Sequence, residues 1–138
     1  MTTVMLINDS VDYLETIESL LREEGYAIHK TTDFATAVEE VRHIQPDLIM
    51  LDLLFQREMR GWRILETLKI TPETTSIPII LCTVAEEAIR GMTEHLASKN
   101  VLVLFKPFDI DDLITLLKKA LFLTNSPASS DSPLAPPA

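Results

Sequence analysis

Residues 46–54 read PDLIMLDLL, in which four consecutive apolar residues, Leu48, Ile49, Met50 and Leu51, are closed by Asp52. An apolar run without alternation is the pattern of a strand covered on both faces, as in a parallel sheet. It predicts a strand over residues 47–51. A carboxylate at the mouth of such a strand is costly without a partner, which marks Asp52 as a placed group.

Moving outward, three more runs have the same character: residues 4–7, 77–82 and 101–105. Residues 26–31 are less apolar and read as a strand nearer an edge. Between the runs lie stripes at helical spacing, each marking one buried face. They are Leu14, Ile17, Leu21; Phe34, Ala37, Val38, Val41; Ile64, Leu65, Leu68; Ala85, Ala88, Ile89, Met92, Leu96; and Ile110, Leu113, Ile114, Leu117, Leu121. Gly25 suits the left-handed position after a first helix. Asp33 and Asp109 suit the N-caps of the second and fifth. Gly91 falls inside the fourth pattern and weakens that helix by about 1 kcal/mol relative to Ala. The order is βα five times over roughly residues 3–123. Right-handed crossovers then put helices on both faces of one parallel sheet, an α/β doubly wound fold.

The chain has 138 residues, 46% of them hydrophobic and 24% charged, which suits one packed domain. No apolar run approaches the roughly 20 residues of a membrane helix, and MTTVMLINDS lacks the basic stretch of a signal peptide. The lone Cys82 excludes an intrachain disulfide, and no Cys/His cluster suggests zinc. A cytoplasmic setting without membrane contact is expected. The formal charge of −9 repels a nucleic-acid backbone, so no direct nucleic-acid partner is expected. Residues 124–138 are rich in Pro, Ser and Ala and have little to bury. They are expected to form a disordered tail, either a linker stub or a natural end.

In an open parallel sheet, ligands bind beyond the C-terminal ends of the strands. There stand Asn8-Asp9 after the first strand, Asp52 after the third, Thr83 after the fourth and Lys106-Pro107 after the fifth. Two carboxylates 4 Å apart repel by about 4 kcal/mol at an effective dielectric of 20, so they invite a hard cation. Oxygen ligands with room for waters and a phosphate select Mg²⁺ or Mn²⁺. The lysine and threonine supply donors to an anion beside it.

These residues, in the segments MLINDS (5–10), PDLIMLDLL (46–54), RGWRIL (60–65), IPIILCTVA (77–85) and LFKPFD (104–109), resemble the receiver domain of two-component response regulators. The resemblance covers about residues 3–123, within a receiver domain expected over residues 1–123. It implies a flavodoxin-like (βα)5 fold with strand order 2-1-3-4-5. It also implies Asp52 as phosphoacceptor, taking a phosphoryl group from a sensor histidine kinase or phosphotransfer protein. Asp9, Asp52 and the backbone carbonyl of Leu54 would hold the metal directly, and Asn8 through a water. Lys106 and Thr83 would bind the phosphoryl oxygens, and the peptide before Pro107 would be cis. A surface of the fourth helix, fifth strand and fifth helix would be read by a downstream protein or output domain. Any catalysis would be confined to the chain's own phosphorylation and dephosphorylation.

Four positions depart from the family pattern. Asn8 replaces a usual acid, which should weaken Mg²⁺ binding without abolishing it. The segment after Asp52 is longer and basic, with Arg57, Arg60 and Arg63, and Gly61 comes about one residue late. Val84 replaces a small residue, and Val103 a Tyr or Phe, with Phe105 two residues along on the same face. These departures keep open a second reading, a receiver-like interaction module with weak or no phosphorylation control. Trp62 discriminates, because its fluorescence should respond to Mg²⁺ only if the cation site works. A flavin-binding reading is poor, since acid stands where a phosphate loop needs Ser, Thr and Gly. Leu116, Phe122 and Leu123 lie outside the last helix's main stripe and offer a patch for a partner or a homodimer. The histidines 29, 43 and 95 are scattered and read as surface or packing residues.

Overall fold

The computed structural model of the protein describes residues 1–53, 60–84 and 86–125, with the backbone alone at 86, 88 and 123–125. Five strands alternate with helices: β1 (Thr3–Ile7), α1 (Val11–Glu23), β2 (Ala27–Thr31), α2 (Phe34–Ile44), β3 (Leu48–Asp52), α3 (Arg60–Ile70) and β4 (Ile79–Thr83). There follow α4 (Glu86–Ile89), a 3₁₀ turn (Arg90–Met92), α5 (Thr93–Ala97), β5 (Val101–Phe105) and α6 (Ile110–Asn125). All strands are parallel, in the order β2-β1-β3-β4-β5, the expected flavodoxin-like arrangement. The expected Pro/Ser/Ala-rich tail falls almost wholly outside the described residues.

The apolar runs form strands because their two faces feed two separate cores. Met5, Ile7, Ile49, Leu51, Ile79 and Leu81 meet α2, α3 and the α4–α5 segment on one side. Val4, Leu6, Leu48, Met50, Ile80 and Cys82 meet α1 and α6 on the other. β3 and β4 are buried along their whole length, whereas β2 leaves the consecutive His29 and Lys30 exposed, as an edge strand can. Burial pushes the Cys82 thiol up to about 12, so it packs as a small hydrophobe.

Local signals set the helix ends. Asp33 caps α2, its Oδ1 accepting from the N–H of Ala35 at 2.9 Å. Ser10 caps α1, its Oγ accepting from Tyr13 at 3.2 Å. Gly25 takes the left-handed conformation (φ 95°) expected after α1.

The fourth helix departs from expectation. One continuous helix through Ala85–Leu96 was predicted from the spacing; the chain instead forms two short helices around a 3₁₀ turn centred on Gly91. The flanking Ile89 (φ −124°, ψ 3°) leaves the helical region at the first junction. Glycine's entropic cost, greatest in a helix interior, falls at the break. Ile89 and Leu96 still point inward and are buried, so the stripe survives the break.

Candidate functional site

Parallel pairing brings the C-terminal strand ends to one rim. The registers Ile7↔Leu51, Asp52↔Cys82 and Thr83↔Phe105 align β1, β3, β4 and β5 there. Beyond the strands the ladder continues: the N–H of Leu53 donates to the carbonyl of Cys82 (3.1 Å), and that of Lys106 to Thr83 (2.9 Å). The Lys106–Pro107 peptide is cis, as the resemblance implied.

Asp52 is buried at the centre of this rim. The ammonium of Lys106 donates to its Oδ2 at 3.0 Å, and Nδ2 of Asn8 donates to the same oxygen at 2.8 Å. The Asn8 amide has only one workable orientation, because its Oδ1 accepts from the backbone N–H of Ser10 at 2.8 Å. Replacing acid by amide at position 8 therefore exchanges a repulsion for an attraction, and the Asp52 carboxylate accepts a hydrogen bond from a neutral donor just past the end of β1.

Asp9 follows Asn8 and is exposed at the rim, while Thr83 is fully buried beneath it. Leu54 lies outside the described residues, as do Arg57 and the loop around it. The Arg60 guanidinium sits over the Phe34 ring, 5.3 Å from the centroid, joining α3 to α2. Val84 is exposed, so its β-branched side chain faces the solvent approach to the rim. Val103 and Phe105 both pack against the core beneath the α4–α5 segment. Phe122 is largely exposed and Leu116 half-packed on the opposite core, while the side chain of Leu123 is outside the described residues.

Sequence reasoning missed Tyr13. Its ring lies under the Lys106 ammonium, 4.4 Å from centroid to Nζ, so Lys106 is held between a carboxylate and an aromatic face. The Tyr13 hydroxyl is buried with no hydrogen-bond partner among the described residues. Burial, with the nearby Cys82 and Asp52, drives the phenol well above its ordinary range and keeps it neutral. The signal available was positional: an aromatic in the first turn of a helix that starts at the rim. Tyr13→Phe keeps the ring under Lys106 and removes the unsatisfied hydroxyl. It is expected to stabilise the protein by about 1 kcal/mol, a rise in Tm of roughly 4 °C by calorimetry.

The donor set fits a small hard cation. Asp52 and Asp9 offer carboxylate oxygens from adjacent strand ends, and waters and a backbone carbonyl are the usual complement for Mg²⁺. Among the described residues no group of three or more His, Cys, Asp or Glu is gathered, so a softer, all-side-chain metal site is not built there. No helix among them is long and apolar enough to cross a membrane.

Comparison with known proteins agrees with this geometry. Residues 4–118 match the family described as Response regulator receiver domain. The chain is 28% identical over 119 residues to the probable transcriptional regulatory protein TcrX of Mycobacterium tuberculosis, covering 86% of this chain and 49% of that protein. It is 32% identical over 132 residues to the transcriptional regulatory protein ZraR of Klebsiella oxytoca, covering 95% and 28% respectively. The chain thus spans half or less of the length of these two relatives. Among solved structures, a two-component response regulator from Clostridium difficile superposes with a TM-score of 0.76 at 21% identity, covering 91% of this chain and all of that one.

Proposed function

The chain belongs to the response regulator receiver domain family, and from that premise we propose that Asp52 is its phosphoacceptor. The observation that carries this reading is the convergence of Lys106 and Asn8 on one oxygen of a buried carboxylate at the sheet's ligand-binding edge. In the proposed reaction a carboxylate oxygen of Asp52 attacks the phosphorus of a phosphohistidine on a kinase or phosphotransfer protein. The P–N bond breaks as the P–O bond forms, its electron pair stays on that nitrogen, and the imidazole leaves neutral with the proton already on its other ring nitrogen. Lys106, already on the carboxylate, follows the transferred group as counter-charge for a phosphoryl oxygen. The Thr83 hydroxyl donates to another after a side-chain rotation.

Asp9 and Asp52, with the carbonyl of Leu54, would hold Mg²⁺, and the bound cation supplies charge neutralisation for the incoming phosphoryl group. The partner-facing surface is assigned to the α4–α5 segment, β5 and α6, where phosphorylation shifts a population of surface conformations. The partners are a histidine kinase upstream and a protein or output domain downstream, in the cytoplasm. A net charge of −9 argues against nucleic-acid contact by this stretch itself.

The direct test is incubation with a small phosphodonor and Mg²⁺, or with a cognate kinase, read by intact mass. A single acid-stable, base-labile phosphoryl adduct is expected. Its absence under both conditions would instead favour a docking module without phosphorylation control.

Asn8→Asp separates the two roles of that side chain. Without cation it deletes the 2.8 Å hydrogen bond to Asp52 and sets two carboxylates together. A loss of about 1–3 kcal/mol in stability in the presence of EDTA is expected. With Mg²⁺ the added charge should tighten binding on the order of tenfold, measured by isothermal titration calorimetry. Unchanged or weaker affinity would mean that position 8 does not face the cation.

A further inference from the structure

A second cleft lies between α3 and α5 and shares no residue with the acceptor rim. Its volume is about 250 Å³. Leu65, Leu96 and Val101, each nearly fully buried, form its floor, and the half-buried Trp62 lines it as well. We propose that this cleft binds a small amphipathic carboxylate, with its apolar body against Trp62 and Leu96 and its carboxylate between Lys69 and Lys99.

Shape and charge both lead there. The floor is apolar, and a few polar residues from both flanking segments, Glu66 and Lys69 on α3 and His95 and Lys99 on and after α5, line it, the usual composition of a small-ligand site. Lys69 is fixed in place: its Nζ donates to the carbonyls of Thr75 (3.1 Å) and Ile77 (3.0 Å), leaving one of three N–H groups uncommitted. Burial and the neighbouring Lys99 pull the Lys69 ammonium down to about 8. Two lysines thus line one cleft, and among the described residues no carboxylate is ion-paired with either. His95 adds a third basic group to the lining against the single acid Glu66, in a chain whose formal charge is −9. An anion relieves that local excess of positive charge. A cation would worsen it, and a neutral ligand would leave it unchanged. A polyphosphate would find too few cations, and Glu66 would oppose it.

An occupant would also bridge two elements that otherwise meet loosely, α3 and the short α5 that follows the Gly91 break. Binding at this cleft is therefore expected to order the segmented fourth helix.

The test uses the whole chain and three probes of one length: octanoate, octylammonium and octanol. Trp62 is the only tryptophan, so its emission reports on the cleft directly. A saturable change with octanoate is expected, with octanol roughly tenfold weaker and octylammonium silent. Lys99→Gln alters only an exposed side chain and should weaken octanoate about fivefold. Lys69→Met should abolish the response; because Lys69 also ties down residues 75–77, its Tm is measured alongside. The response should persist in Asp52→Asn, which keeps this proposal separate from the phosphoacceptor reading. No saturable response to octanoate, equal binding of all three probes, or unaltered octanoate affinity in Lys99→Gln would overturn it.

Discussion

Asp52→Asn is expected to eliminate the phosphoryl adduct entirely, under a small phosphodonor and under a kinase alike. The carboxamide is close in shape to the carboxylate but carries no charge, and its oxygen is a far poorer nucleophile toward phosphorus. Its remaining oxygen can still accept from Lys106 or from Asn8, so the two donors that now share Oδ2 are not both stranded. The cost to stability should therefore stay near 1 kcal/mol, a shift in Tm of a few degrees. That separation matters: a folded variant with no adduct assigns the chemistry to Asp52, whereas an adduct of undiminished yield would place it on another residue. Phosphopeptide mapping of the wild-type protein gives the same assignment independently.

Gly61→Ala should have the largest structural effect. A Cβ built on Gly61 would lie 2.0 Å from the carbonyl oxygen of Asp52, 2.7 Å from that of Leu53 and 2.8 Å from the Leu53 Cα. All three are backbone atoms at the end of β3, so no side-chain rotation can relieve the overlap. The N–H of Gly61 also donates to the Leu53 carbonyl at 3.0 Å, which clamps the start of α3 onto the end of β3. Pushing these apart should cost at least about 3 kcal/mol, lowering Tm on the order of 10 °C. It should also misplace Asp52 and slow phosphorylation in whatever fraction remains folded. Gly91→Ala is the control, since a Cβ there meets nothing within 4 Å. That change should be neutral or stabilising by up to about 1 kcal/mol. Thermal melts of the two variants side by side decide the matter; similar melting temperatures would show that the close approach at Gly61 is not a constraint.

The strands were legible because each interior run is apolar, only four to six residues long and bounded by polar or turn residues, which suits a strand covered on both faces better than a buried helix. The rim followed from topology: Asp52, Thr83 and Lys106 are each the first polar residue after such a run. Three features were not legible, for different reasons. The donation from Asn8 to Asp52 depends on which way an amide points, and that is decided by Ser10's backbone N–H. The ring of Tyr13 under Lys106 is a contact between residues 93 positions apart, and a tyrosine in a first helical turn has many other uses. The break at Gly91 was visible as a weak point, yet propensity alone could not say whether packing would hold the helix together across it.

The segmented run from Glu86 to Ala97 has an energetic consequence. Its helical pieces span four and five residues around a three-residue turn, too short to sustain cooperative helix formation by themselves. One flank of the sheet is therefore held mainly by a few anchors such as Ile89 and Leu96. Rearranging that flank requires releasing those anchors, not melting a rod several turns long, so a modest input of free energy at the sheet's edge suffices to reshape it while the strands stay as they are.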